Sequence, residues 1–369
     1  MSVSLRSPLL LAWGSAQASA ALALGATSWM VSGLTPSPLL NALLPAVLGG
    51  AALLRLRQRI TLGLVLQLLT LLGLLMGAIH RWQSPVLLSL VLTLLAILLW
   101  AIGQQLSLSG GELRPVGAAV LPAWQSSSET GRLLGSLLTA LLFPLGRGVS
   151  QFSVAVVLLI PLLLEALRGK RVCSRTAGME EGRVQPAVPP VAGRRLLWKP
   201  CLQGVLFGAL FALLALWVRL NGAGDCVDFG MLLAAYALGR TVAMPLAERG
   251  WLGAMGSRQA AGAQYLGMAA LLVASQSVPG WAAVALFLPF GLLAGLRDRG
   301  LLLLCRGVDG QPDLVGFERS GAIGGVVGSL GMGLLTQVVG LSWALPLQVA
   351  AFLVAALVLG GRARIAPAS

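Results

Sequence analysis

Long apolar runs broken by short polar connectors make up almost the whole chain. Twelve runs are legible, at 9–31, 39–54, 60–79, 86–103, 132–146 and 150–167, then at 201–220, 229–246, 260–275, 281–296, 320–339 and 342–359. They lack the two-residue alternation of barrel strands and have the lengths needed to cross about 30 Å of hydrocarbon as helices. In lipid every backbone amide must be satisfied within its own segment, so the pattern predicts helices. The runs that begin at Arg132 and Phe229 are the weakest, being short and carrying ionisable residues.

Between the sixth and seventh runs the pattern stops. Residues 168–199, RGKRVCSRTAGMEEGRVQPAVPPVAGRRLLWK, crowd basic residues at both ends around a Pro-rich middle. Such a stretch has neither helical nor strand period and reads as a linker. The expected organisation is a six-helix bundle at 1–167, a basic cytoplasmic linker at 168–199 and a second six-helix bundle at 200–369.

Composition narrows the class. The 369 residues are 57% hydrophobic and 10% charged, with a mean hydropathy of +0.87, whereas a soluble domain carries roughly a quarter charged residues. The net charge of +14 does not point to nucleic acid, because the basic residues sit between apolar runs and not on a folded surface with interleaved aromatics. They act as a topology signal. With the N-terminus cytoplasmic, outside loops hold Arg81, Arg147 and Arg219, while Arg55, Arg57, Arg59, the central loop, Arg249, Arg258, Arg297, Arg299, Arg306, Arg319, Arg362 and Arg364 fall inside, as the positive-inside rule requires. Both termini are then cytoplasmic.

Cys173, Cys201, Cys226 and Cys305 have no CxxC spacing, so neither a metal site nor a disulfide framework is indicated. No cofactor is expected. The N-terminal segment is similar to a signal peptide, but its apolar stretch runs on to Met30, which predicts an uncleaved first helix. Arginine-rich, lysine-poor usage and compact loops point to a bacterial inner membrane; a monomer in the lipid bilayer is expected.

The two halves share local features. ETGRLLGSLLTALL from Glu129 and ERSGAIGGVVGSLG from Glu318 each place an acid before an Arg and a Gly six positions on. Small residues recur at four-residue spacing in helix 2 (Ala42, Ala46, Gly50) and helix 8 (Ala235, Gly239, Ala243), and helix 11 is rich in glycine. In lipid such stripes allow close helix packing; they also suit halves that move against each other.

With two six-helix halves, a long basic central loop and these helix endings, the chain resembles the major facilitator superfamily. GRTVAMPLAERG, from Gly239 to Gly250, resembles a second copy of the family's Gly-rich, acid-then-Arg signature, with Glu248 and Arg249 in the acid and Arg places. In the first copy Arg55, Arg57 and Arg59 stand without the acid. LTPSPLLNALLPA, from Leu34 to Ala46, is similar to the start of helix 2 in siderophore and drug exporters. The resemblance implies an all-α fold of twelve transmembrane helices and a secondary transporter working by alternating access. It also implies a central cavity lined by helices 1, 4, 7 and 10.

An ionisable group at bilayer depth costs about 2.5–3.5 kcal/mol on insertion scales. Arg240, one turn after Tyr236, is the leading candidate, with Glu248, Asp298 or Glu318 as neutralising partners. Its readings are a cytoplasmic gate network with Arg55 and Arg249, direct solute binding, or snorkelling. Trp13, Gln17, Thr93, Gln203, Tyr236, Pro289 and Phe290 are the cavity candidates, each with plain packing as the alternative. A cavity this poor in charge suits a small uncharged or amphipathic solute, expected to be exported, with a proton as the candidate coupling ion. HExxH, GxSxG and paired intramembrane Asp residues are absent from the sequence, so no enzyme is expected. The competing reading is a membrane scaffold or assembly factor that keeps the fold without transport.

Overall fold

The computed structural model describes residues 8–54, 59–80, 85–108, 121–146, 148–176, 196–220, 224–246, 258–278, 280–305 and 313–360. Twelve α-helices follow in order: α1 (Pro8–Leu34), α2 (Pro38–Leu53), α3 (Ile60–His80), α4 (Val86–Leu108), α5 (Leu121–Leu142), α6 (Val149–Thr176), α7 (Trp198–Leu220), α8 (Cys226–Leu246), α9 (Arg258–Ser277), α10 (Trp281–Leu304), α11 (Leu314–Val339) and α12 (Ala344–Gly360). Among the described residues there is no strand, and nine helices are long and apolar enough to cross a membrane. The other three are α2, which has 16 residues, and α5 and α9, whose sequences carry more polar residues.

Helix pairing repeats after six helices. α1 packs on α5 and α6, and α3 on α4 and α6; correspondingly α7 packs on α11 and α12, and α9 on α10 and α12. The same shift relates the two seams that join first-half to second-half helices, α2 on α11 and α5 on α8. One apolar core gathers Leu22, Leu64, Ile97, Trp100 and Phe152 from the first six helices. Another gathers Leu206, Leu214, Tyr265, Phe290 and Phe352 from the last six, with Phe143 reaching in from just past the end of α5.

The repeat seen at Glu129 and Glu318 has a packing cause. Gly135 of α5 lies against the Ala18 carbonyl of α1, and Gly324 of α11 lies against the Cys201 carbonyl of α7. A side chain at either position would collide with backbone. Most glycine contacts therefore serve packing inside a half: Gly239 of α8 rests on Leu288 and Gly291 of α10. Across the halves the close contacts include Gly333 on Ala42, Gly49 on Val326, Gly230 on Ala140 and Gly33 on Arg219, while Gly50 of the helix 2 stripe has open space beside it.

The largest departures from expectation lie at three helix boundaries. α5 starts at Leu121, well before Arg132, because its polar opening is half-buried and hydrogen-bonded: Ser127 Oγ donates to the Leu10 carbonyl of α1 at 2.6 Å, and Ser128 Oγ to the Trp124 carbonyl within α5 at 3.0 Å. α6 continues past 167 to Thr176, into the stretch read as linker. α10 continues past Leu296 to Leu304, so Arg297 and Asp298 belong to a helix and not to a loop.

Candidate functional site

Charged side chains meet where α5, α8 and α10 converge. Arg240 of α8 donates from Nη2 to Glu129 Oε1 at 2.8 Å and from Nε to Glu129 Oε2 at 3.1 Å, a two-point contact that fits the planar guanidinium fork. Its Nη1 donates to Asp298 Oδ2 of α10 at 2.6 Å and to the Tyr236 hydroxyl at 3.4 Å. Side-chain exposures are 16% for Arg240, 11% for Glu129 and 28% for Asp298. The guanidinium thus offsets two carboxylates while partly screened from water, which strengthens each contact relative to a surface pair. Arg132, half-exposed, adds a weaker contact to Glu129 at 3.5 Å, and Thr241 Oγ1 donates to the Glu129 carbonyl at 3.3 Å.

The polar chain continues into the last six helices. Gln203 Nε2 of α7 donates to Asp298, and Gln203 Oε1 accepts from the Tyr265 hydroxyl of α9 at 2.7 Å. Four second-half helices and one first-half helix are thereby tied by a single run of hydrogen bonds. Beside it stands an aromatic group: Tyr236 meets Phe211 at 5.0 Å and Phe290 at 6.1 Å between ring centroids, and Phe207 touches Phe211, Tyr236, Phe290 and Phe352.

The sequence-predicted residues distribute unevenly. Arg240, Asp298, Tyr236 and Gln203 come together, and Phe290 backs them from the core at 1% exposure; Pro289 is half-buried inside α10. Trp13 is elsewhere: it stacks on Trp124 at 4.2 Å and donates to Ser128 Oγ at 2.8 Å, at the seam between α1 and α5. Gln17 is buried beside Gly131 on the same seam. Thr93 donates back to the Ser89 carbonyl at 2.7 Å within α4. Glu318 does not join Arg240; it is exposed on α11, which packs chiefly on α7 and α2. Arg55, Glu248 and Arg249 lie outside the described residues.

Two residues escaped the sequence reading. Glu129 was visible as the acid of the repeat, yet the helix was started at Arg132, which left it in a connector. Arg297 was assigned to an inside loop; it is 3% exposed and sits over the Tyr265 ring at 5.4 Å. The signal that finds it is helical spacing, since Phe290, Ala294, Arg297 and Leu301 fall on one stripe of α10 and all are buried.

No family model matches the chain, and no curated protein matches it by sequence. Solved structures match over nearly the whole length. The nucleoside transporter NupG superimposes with a TM-score of 0.62 at 11% identity, over 97% of this chain and 98% of that one. A bacterial metal transporter gives 0.63 at 16% identity over the same shares. A bacterial homologue of the iron transporter ferroportin, in an outward-facing state, gives 0.54 at 15% identity, again over 97% and 98%. All three are described as transporters or a transporter homologue. With nine apolar helices of spanning length among its described residues, the chain is an integral membrane protein, and its fold is that of these solved transporters.

Proposed function

We propose that this protein is a secondary transporter in which two six-helix bundles, 1–167 and 200–369, rock about a central solute path, with all twelve helices spanning the bilayer and both termini cytoplasmic. The observation that carries this reading is the Arg240 bridge, which ties α8 and α10 of the second half to α5 of the first. Arg240 lies near the C-terminal end of α8 and Glu129 in the N-terminal half of α5, so the bridge closes one end of the path. The distribution of basic loops makes that end the cytoplasmic one. Tyr236, Phe207, Phe211 and Phe290 supply an aromatic wall suited to an amphipathic solute of low charge. Export is supported by the likeness of residues 34–46 to exporter sequences.

The reading is tested by solute flux in proteoliposomes with an imposed proton gradient, run in both directions against a compound panel. Gradient-dependent flux that falls at least tenfold in Glu129→Gln is expected. A folded protein that moves no compound, and that co-purifies with a stoichiometric partner, overturns transport in favour of a scaffold. Orientation is checked by tags after Arg81 and Asp225, reachable from outside, and at Gly182, reachable from inside.

A further inference from the structure

A cavity of about 20 Å³ lies between α7, α11 and α12, away from the Arg240 bridge. Its walls include Leu210, Leu213 and Trp217 of α7, Met332 of α11, and Leu345 and Gln348 of α12. One water needs about 10–15 Å³ on the same scale, so there is room for about one or two heavy atoms. The cavity can therefore take the tip of a larger molecule and not its body.

Its one amide side chain is incompletely satisfied. Gln348 is 1% exposed, and its Nε2 donates to the Leu206 carbonyl of α7 at 2.6 Å. A carbonyl oxygen accepts only from the NH2 side of an amide, so this contact fixes which way the group is turned. Gln348 Oε1 is left buried without a hydrogen-bond partner. A buried acceptor in that state calls for a donor.

The rest of the cavity says what carries the donor. A buried water makes about three hydrogen bonds, whereas Leu210, Leu213, Met332 and Leu345 offer contacts to carbon. One O–H on an apolar chain fits both demands. Trp217 is half-buried, while the other lining residues are buried, so a chain too long for the cavity leaves beside the indole.

We propose that this cavity binds the hydroxyl end of an apolar primary alcohol. The O–H donates to Gln348 Oε1, the carbon that bears it packs on the leucines, and the chain runs out past Trp217. The site does not depend on the transport reading.

The test uses full-length protein in lipid vesicles, with 6-bromohexan-1-ol and 1-bromohexane as probes, since bromine quenches a nearby indole. The signal of Trp217 is taken as the difference between the parent and Trp217→Phe, and quenching is expressed per mole of probe in the membrane. The bromoalcohol should act at about tenfold lower concentration than the bromoalkane, the worth of one added hydrogen bond in a buried site. Gln348→Met, which keeps the volume and removes the acceptor, should bring that ratio to about one. Ala344→Leu, which fills the cavity, should abolish quenching by both probes; if that variant does not fold, Gln348→Met still decides. Equal quenching by the two probes in the parent overturns the proposal, as does a preference that survives in Gln348→Met. Absence of Trp217 quenching also overturns it and leaves the cavity to water alone.

Discussion

The two ends of the interface between the halves are closed by different chemistry. At the end where α8 finishes, a guanidinium is held by two carboxylates, one from each half, at 2.6–3.1 Å. At the opposite end Arg219, near the end of α7, reaches α1 through neutral contacts: the Trp29 carbonyl at 3.0 Å, Ser32 Oγ at 3.2 Å and the Trp29 ring face at 4.1 Å. Trp29 in turn stacks on Phe229 of α8 at 5.6 Å. Opening the first junction strands opposite charges in a partly buried setting. Opening the second breaks contacts to neutral groups of α1, which water can replace. The difference makes the ionic closure the costlier to open, so the cation–aromatic end is expected to yield first.

The most direct way to break this comparison is to remove the cross-half acid. Glu129→Ala leaves Arg240 with Asp298 alone and should cost about 3–5 kcal/mol, the penalty for halving a buried pair, read by thermal unfolding in detergent. The double variant Glu129→Ala/Asp298→Ala should be worse, and Glu129→Ala/Arg240→Ala better, than Glu129→Ala alone. If the single substitution is silent, the junction is not the stronger of the two.

How far this contrast could be read from sequence depends on which kind of residue carries it. The apolar runs marked the twelve helices, of which nine are long and apolar enough to cross a membrane among the described residues. Arg240 and Asp298 stood out for the converse reason, as charges in or beside such runs. Glu129 was hidden because QSSSETGR, from Gln125 to Arg132, looks like a loop. It is helical because its hydroxyls bond to helix carbonyls and Gly131 lets α1 approach. Arg297 was hidden because the apolar run breaks there, although the helix does not. The outer contacts of Arg219 had no local signal at all, since they depend on where α1 and α7 end relative to each other.

A second prediction sharpens the contrast by wedging one seam. Gly333 of α11 touches Ala42 of α2 toward the Arg219 end, so Gly333→Leu must part the helices there. A cost of about 1–3 kcal/mol is expected from overpacking, with new labelling of a Ser32→Cys reporter and no change at the Glu129 end. Labelling that rises at both ends would mean that the closures are not independent.

Removing the cation itself comes next in size. Arg219→Gln loses the contact to the Trp29 face, worth about 0.5–2 kcal/mol, and should raise Ser32→Cys labelling severalfold while unfolding temperature drops only slightly. A loss as large as that of Glu129→Ala would put the stronger closure at the wrong end.

The smallest effect is expected at Gln337, whose Oε1 accepts from Ser37 Oγ at 2.8 Å and from the Leu39 amide at 3.4 Å, linking the end of α11 to the start of α2. Both contacts are exposed, so water can replace them when they break, and Gln337→Ala should cost at most about 0.5–1.5 kcal/mol. Because Ser37 also caps α2 through the Leu40 amide, Gln337 is the cleaner residue to change. If Gln337→Ala opens the Arg219 end as much as Arg219→Gln does, that end is held by its hydrogen-bonded rim and not by the guanidinium on Trp29. The contrast between an ionic and a cation–aromatic closure would then give way to one between buried and solvated contacts.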